Sequence, residues 1–329
     1  MRSILIVLFV LLSLHAEKEY ELGEGAQVGS LPLYLGGYFS LDYRNLNSEN
    51  RYRIDDIAIL GYGSHEKLSY MVELEFKEFH VETYKEGNIE TTNDNKLYTE
   101  RIYIDYNLNE NYMFRVGKYN SSIGFWNLLP INVLRETTSS PISSLIIYPK
   151  FTTGASASYS SYDESAIKID LMLQENNSID NEYNNYELDK HYGVGISYEI
   201  DDYTLKANAG YFHKATNDTN YNDLYYFLIS AKYESEKYQV LSEIGSQKSN
   251  TIYTTDYAGY IQGLYRFTEQ HLGIVRLESY DNNVLAISDN IAIAGYTYRP
   301  LYPIAIKAEY QFHKEDQLDQ FLFSFSVLF

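Results

Sequence analysis

Charged side chains occupy alternate positions inside several apolar stretches of this chain. In the stretch 304–312, Lys307 and Glu309 share one side of an extended strand, whereas Ile304, Ile306 and Tyr310 share the other side. This spacing therefore collects the charges on one face. Because rings of charged side chains around a water-filled space select ions by sign, the chemistry predicted by the pattern is electrostatic and not covalent.

The same parity rule, applied along the chain, predicts which residues line and narrow a pore. Together with the charged residues of the longest link, the candidates are Arg101, Arg115, Lys118, Arg135, Glu136, Glu73, Glu75, Lys77, Arg266, Arg276, Glu278, Lys307 and Glu309. We expect the three arginines at 101, 115 and 135 to face the glutamates at 73, 75 and 136. Glu100 breaks the rule unless a bulge turns it inward, and the adjacent Asp55 and Asp56 leave the second strand with ambiguous parity. The alternative is that these charged side chains only keep the wall of a water-filled lumen hydrated.

Covalent chemistry finds little support in the residue types. The sequence has no Cys, which excludes a disulfide scaffold, a Cys-ligated zinc site and a thiol nucleophile. It also lacks the spacings of a zincin, a serine hydrolase or a P-loop. A sequence pI of about 4.7 argues against a nucleic-acid binder. We therefore predict no enzyme, no cofactor and no metal, with a catalytic site at a barrel rim (His80, His213 or His313) or an adhesin as the alternatives.

The first residues predict export. Residues 1–3 form a short positive leader, residues 4–14 are apolar, and His15-Ala16 supplies a small-residue exit, as in a secretory signal peptide. At about eleven residues the apolar run is too short to span a bilayer as a helix. We predict a signal peptide at 1–16, a short periplasmic segment at 17–31 and an outer-membrane barrel at 32–329.

Beyond the leader, the apolar period is two, which predicts an all-β transmembrane antiparallel β-barrel of about sixteen strands. Links alternate between tight and longer ones, with the longer links near 44–51, 82–96, 119–151, 175–189, 214–223, 248–256, 280–289 and 314–318. All 6 prolines fall in links or at strand starts, as a hydrogen-bonded ladder requires. The predicted strands are 33–43, 52–61, 68–80, 97–107, 112–118, 152–161, 165–174, 190–199, 203–213, 224–234, 238–247, 257–267, 271–279, 290–299, 304–313 and 319–329.

The third longer link, 119–151, is the predicted functional loop. Links of this length are usually functional or disordered. This one carries the single Trp of the chain, Trp126, among many aliphatic residues. So much apolar surface needs a partner, and the barrel interior is the nearest one.

Residues 97–106 (Leu-Tyr-Thr-Glu-Arg-Ile-Tyr-Ile-Asp-Tyr), 114–118 (Phe-Arg-Val-Gly-Lys) and 122–124 (Ser-Ile-Gly) resemble the phosphate-selective porin O and P family. The resemblance implies a general-porin architecture in which the third extracellular loop folds into the lumen and narrows it. It also implies a homotrimer.

The expected function is passive diffusion of small hydrophilic solutes and ions, with a weak preference for anions, through the outer membrane of a Gram-negative bacterium. The expected partners are outer-membrane lipid, lipopolysaccharide and the solutes themselves, with no nucleic acid. A soluble periplasmic β-protein is a further alternative, because period two alone does not separate a barrel from a sandwich.

Overall fold

The computed structural model describes residues 21–161, 165–181, 184–215 and 221–329. The predicted signal peptide lies outside the described residues. Within them the chain forms 18 strands in a single antiparallel sheet. The prediction of an all-β protein is confirmed.

Sixteen of these strands form a closed barrel, since β18 pairs with β2 and each other barrel strand pairs with its neighbours along the chain. The two remaining strands are β1 (Ala26–Gln27), which pairs with β2, and β5 (Asn88–Thr92), which extends the hairpin of β4. The barrel strands are β2 (Tyr34–Leu46), β3 (Glu49–His65), β4 (Leu68–Lys85), β6 (Leu97–Asn107), β7 (Tyr112–Asn120), β8 (Phe151–Ser160), β9 (Ala166–Gln174), β10 (Leu188–Ile200), β11 (Tyr203–Lys214), β12 (Asp223–Glu234), β13 (Tyr238–Ser249), β14 (Tyr253–Arg266), β15 (His271–Asn282), β16 (Ile287–Tyr298), β17 (Ile304–Phe312) and β18 (Gln320–Leu328).

The outward face of the barrel is apolar. In β9, Ile167, Ile169 and Leu171 are exposed, whereas the intervening Asp170 and Met172 are buried in the interior. In a soluble sandwich this apolar face would be covered by a second sheet. Here it forms the outer surface of a closed barrel, as in proteins that face lipid. In the part of the chain that the structure describes, no helix has the length and apolarity needed to cross a bilayer.

Tyrosine pairs occur near both ends of the barrel. The ring centroids of Tyr203 and Tyr233 are 4.9 Å apart near one end, and those of Tyr211 and Tyr225 are 5.2 Å apart near the other. Such pairs lie where aromatic girdles flank the apolar band of membrane barrels. We call the end that holds both termini of the barrel the turn end, and the opposite end the loop end.

Three of the predicted longer links are short. The links at the loop end span only residues 47–48, 250–252 and 283–286, because β2, β3, β13, β14, β15 and β16 continue past the predicted boundaries. The physical reason is that apolar alternation marks only the lipid-facing part of a strand. Beyond that part most residues are polar, and the ladder continues without a regular alternation in the sequence.

Two bulges explain the residues that break strand parity. In the ladder between β4 and β6, Glu73 pairs with Arg101 and Leu74 pairs with Thr99, which leaves Glu100 as the extra residue. Glu100 and Arg101 are consequently both buried in the interior. A second bulge lies in the ladder between β2 and β3, where Phe39 pairs with Ile57 and Leu41 pairs with Ile54, so that Asp55 and Asp56 together face the single residue Ser40.

The link between β7 and β8, residues 121–150, folds into the barrel, as predicted; we call it the inner loop. It contains two short 3₁₀ turns (Trp126–Leu128 and Asn132–Leu134) and one helical turn, α1 (Ser143–Ile146). Ile123, Ile147 and Tyr148 are fully buried on the wall formed by β10–β12. The interior is therefore divided by a packed loop.

Candidate pore constriction

The inner loop reaches two separate parts of the wall. Its ends pack with Phe212, Tyr226 and Leu228 of β11 and β12. Its middle, Ile131 and Val133, packs in a second apolar cluster with Tyr38, Ala58, Leu60 and Ala305. Because these clusters belong to different arcs of the barrel, the loop crosses the lumen.

Three inward glutamates hold the backbone of the inner loop. Glu309 accepts hydrogen bonds from the backbone N–H groups of Thr138 and Ser139, at 2.9 and 3.2 Å. Glu278 accepts one from Ile142 at 2.8 Å. Glu243 accepts bonds from Phe125 and Trp126, the latter at 3.3 Å. These carboxylates satisfy loop donors that a strand ladder does not reach.

Inward basic residues hold loop oxygens in the same way. Lys307 donates to the backbone oxygen of Asn132 at 2.5 Å and to its side-chain oxygen at 2.6 Å. Arg276 donates to Thr137 at 2.9 Å and to the hydroxyl of Ser139 at 2.6 Å, and it also binds Glu278 at 2.6 Å. Since Lys307 is 1% exposed and Arg276 is 0% exposed, both charged groups bind the inner loop and are shielded from solvent.

Arg299, outside the predicted set, binds Glu136. It lies in the link between β16 and β17, 3.1 Å from the Glu136 carboxylate, and it also donates to the backbone oxygen of Val133 at 2.7 Å. Glu136 was predicted to face arginines across the lumen. Its observed partner belongs to a turn, where strand parity gives no information.

Gly124 fixes the start of the inner loop. Its φ is +64°, which favours glycine, and an added Cβ would lie 2.6 Å from a carboxylate oxygen of Glu243. The backbone oxygen of Gly124 accepts a hydrogen bond of 2.9 Å from Lys206. The close approach of backbone to wall at this point thus requires a residue without a side chain.

Four carboxyl groups gather behind the middle of the inner loop. Atoms of Glu73, Glu75 and Glu100 lie within 4.8 Å of one another, and all three side chains are buried. The hydroxyl of Tyr38 lies 2.8, 3.0 and 3.1 Å from their oxygens. Since a hydroxyl has one proton to donate, it serves one carboxylate at a time. Asp56, the fourth acid, accepts a bond of 2.9 Å from a serine of β2.

Arg101 is the basic partner of this cluster and pairs with Glu73. The two residues were predicted to face each other across the lumen. They instead lie side by side on β6 and β4, since they are direct partners in the ladder. The arrangement resembles a compact ion network more than two opposed walls.

Arg115 faces a cavity on the turn-end side of the inner loop. It makes two hydrogen bonds to Asp105, at 2.6 and 2.8 Å, and its guanidinium lies 4.0 Å from the ring centre of Tyr103. The cavity has a volume of approximately 230 Å³, and Arg101 and Lys168 also line it. Arg115 thus lies on the interior wall.

Three other predicted pore residues, Lys118, Lys77 and Arg266, lie in different parts of the barrel. Lys118 is fully buried and donates to the backbone oxygens of Thr99 and Asp180, at 2.7 and 2.6 Å. Lys77 lies opposite Asp56 in the ladder of β3 and β4. Arg266 lies at the turn end, 3.1 Å from Glu234. These three residues are therefore not brought together.

Arg135 and Lys150 carry the positive charge of the inner loop. Arg135 donates to the backbone oxygen of Leu129 at 2.6 Å and lies 5.7 Å from the ring centre of Trp126. Burial lowers the pKa of the Lys150 ammonium to about 8, and the charges of Arg135 and Lys77 add to this effect. The charge of Lys150 therefore changes within a moderately alkaline range.

Comparison with known proteins identifies the fold. No family model matches the sequence, and no curated protein matches it. Among solved structures, OmpF of Salmonella typhi in complex with daunomycin superposes with a TM-score of 0.62 at 12% identity, covering 90% of this chain and 97% of that one. The outer-membrane channel DcaP of Acinetobacter baumannii gives 0.60 at 10% identity, with coverage of 90% and 97%.

An anion-selective porin of Comamonas acidovorans gives a TM-score of 0.61 at 10% identity, covering 90% of this chain and 99% of that one. The chain has the porin fold. Identity this low establishes architecture alone. The finer resemblance to phosphate-selective porins is not established by these matches.

Several interior residues were not among the predicted pore residues. Tyr38 carries no charge, Glu100 and Asp55 lie at bulges, and Arg299 lies in a link. Only the bulges left a signal, as local failures of alternation. Glu243 and Lys206 had the inward parity, but nothing in the sequence distinguished loop anchors from wetted wall charges.

Proposed function

We propose that this protein is an outer-membrane porin that allows passive diffusion of small hydrophilic solutes and ions. The observation that carries the proposal is the inner loop, which is bound across the interior of a closed barrel whose outer face is apolar. A barrel of this strand number that served only as an anchor would not need a loop tied into its interior by so many buried charges.

The mechanism follows from how the wall charges are used. Glu243, Glu278, Glu309, Lys307 and Arg276 are occupied by the loop and by one another. Their fields therefore largely cancel at short range. The edge of the inner loop then selects solutes mainly by size. Selection by charge comes from the charged residues that are exposed to solvent or that keep unused hydrogen-bond donors.

The proposed setting is the bacterial outer membrane. The apolar outer face fits lipid, and the loop end, with the longer links, fits the lipopolysaccharide side, whereas the turn end fits the periplasm. The predicted signal peptide is consistent with export. The proposal includes a homotrimer, because the sequence resembles that of porins.

We propose a weak preference for anions and not phosphate selectivity. Arg135, the only arginine of the inner loop, donates to the loop backbone and lies over Trp126, so it is not presented as a free phosphate ligand. The anion-selective porin of Comamonas acidovorans shares only the fold, but it shows that this architecture accommodates such a preference.

A rim enzyme remains the second candidate, because the three predicted rim histidines all have carboxylate partners. His80 lies 3.2 Å from Glu82, His213 lies 2.8 Å from Asp189 and His313 lies 2.7 Å from Asp289. The three pairs lie on different parts of the sheet: on β4, on β10 and β11, and on β16 with the link after β17. None of these histidines has a hydroxyl nucleophile among its hydrogen-bond partners in the described residues, so we favour a channel that makes and breaks no bond.

Reconstitution in a planar bilayer tests the proposal. Purified, folded protein should give discrete conductance steps, and a salt gradient should give a reversal potential of the sign expected for a slight excess of anion flow. Heat-denatured protein is the control. Folded protein that inserts into vesicles and gives no steps would refute the channel function.

A further inference from the structure

A cavity with both polar and apolar lining lies on the loop-end side of the inner loop, between the loop and the wall formed by β2, β3 and β15–β18. Its volume is approximately 530 Å³, within the usual range of small-molecule sites. Arginines line one side, and hydroxyl groups of the inner loop line the other. The residues concerned are Arg44, Arg51, Arg53, Thr138, Ser139 and Ser140.

Two of these arginines keep donors for a ligand. Arg51 binds Glu78 at 2.9 Å through one terminal nitrogen, and Arg44 binds Glu49 at 2.7 Å in the same way. No other side-chain partner of either guanidinium appears among the described residues. Their side chains are 28% and 34% exposed, so the remaining N–H groups can reach a solute.

The third arginine, Arg53, holds the neighbouring carboxylates in place. Arg53 lies 2.8 Å from Asp42, 2.8 Å from Asp55 and 3.1 Å from Glu78. It thus fixes the same Glu78 that binds Arg51. Arg53 thereby fixes acids on both sides of its guanidinium and leaves Arg44 and Arg51 as the arginines that can bind a ligand.

The two acids that line the cavity already have partners. Asp42 is bound by Arg53, and Glu278 is bound by Arg276 and by the backbone of the inner loop. Glu49 and Glu78, the partners of Arg44 and Arg51, are not among the residues that line the cavity. The N–H groups of Arg44 and Arg51 that these partners do not use are therefore the donors that the cavity offers.

We propose that this cavity is a binding subsite for hydroxylated carboxylates, such as a sugar acid. The carboxylate would take the spare N–H groups of Arg51 and Arg44, because guanidinium matches carboxylate in a two-point contact. The hydroxyls would exchange hydrogen bonds with the serines of the inner loop and with Gln311 and Gln320, which also line the cavity. The inference rests on the proposed channel function, since it names the class of solute that this channel collects.

Calorimetric titration of the full-length protein in detergent, with sodium gluconate and with sorbitol, tests the subsite. Gluconate should bind, sorbitol should bind far more weakly, and Arg51→Gln should weaken gluconate binding by about tenfold, the usual effect of losing a charge-assisted contact. Lys85→Gln is the matched control. Lys85 lies 3.6 Å from Glu49, is 61% exposed and does not line the cavity, so removing its charge should leave gluconate binding unchanged.

Equal binding of gluconate and sorbitol, or equal affinity of the wild type and Arg51→Gln, would overturn the subsite. An equal loss of gluconate affinity in Lys85→Gln and Arg51→Gln would also overturn it, since the effect would then reflect the overall charge of the protein and not a specific contact. Bilayer recordings separate this result from the channel function. Conductance steps without an arginine-dependent gluconate site refute the subsite alone, whereas gluconate binding without conductance refutes the channel and supports the subsite.

Discussion

At the scale of single residues, the interior places like charges close together. Glu73, Glu75 and Glu100 lie around one hydroxyl group, and Arg101 pairs directly with only the first of them. Buried carboxylates this close raise one another's energy when ionised. Glu100 belongs to this cluster only because a bulge turns its side chain inward. Its negative charge adds repulsion that regular strand alternation would not produce.

Glu100→Gln should therefore stabilise the barrel. Glutamine keeps the shape of the side chain, removes one negative charge and supplies an N–H donor to the neighbouring carboxylates, so a gain on the order of 1 kcal/mol is expected. The thermal midpoint of the folded band in semi-native gels measures the effect. Glu90→Gln, in the exposed β5, is the control and should cause no change. A lower midpoint for Glu100→Gln than for the wild type would contradict the repulsion argument.

At the scale of elements, the inner loop is held from both sides by charges of both signs. Glu309 binds its N–H groups, Lys307 binds its oxygens, and Gly124 lets its first residues approach the wall. A loop held in this way keeps a defined edge, and its own titratable charge adds to the field along the pore. Lys150 is that charge, at the end of the loop.

Ion selectivity should accordingly depend on pH in the alkaline range. Because burial lowers the pKa of Lys150 to about 8, its ammonium is charged at pH 7 and largely neutral at pH 9. The preference for anions should decrease between these pH values. Reversal potentials should show a smaller change in Lys150→Met than in the wild type, with the difference between the two centred near pH 8. A wild type and variant with identical pH dependence would show that Lys150 does not contribute to the field.

How far the sequence predicts these elements depends on what each residue faces. The strands were predictable where one side faces lipid, as in β9, because lipid forces strict alternation. The extensions of β2 and β3 were not, since most of their residues are polar and show no alternation. The inner loop was predictable from its length and apolar content, but not its anchors, because Glu243 and a merely wetted glutamate have the same parity. The pairing of Glu136 with Arg299 depends on how a turn approaches the loop in space, and no local pattern records that.

At the scale of the whole molecule, the charges are separated by function. The described interior carries ion pairs that fix the inner loop, the outer face is apolar, and the chain as a whole has a formal net charge of −19. The overall acidity therefore does not describe the path of a solute. We propose that this path is set by the edge of the inner loop and by the arginines of the loop-end cavity.

The central claim is that the inner loop, held by wall charges, limits flow through an otherwise open barrel. Single-channel conductance of Glu278→Gln/Glu309→Gln tests it most directly, since these changes weaken the acceptors for Thr138, Ser139 and Ile142 while keeping the size of the wall side chains. Folded variant protein should give larger and noisier conductance steps than the wild type. Steps of the same size and noise in both proteins would contradict the account.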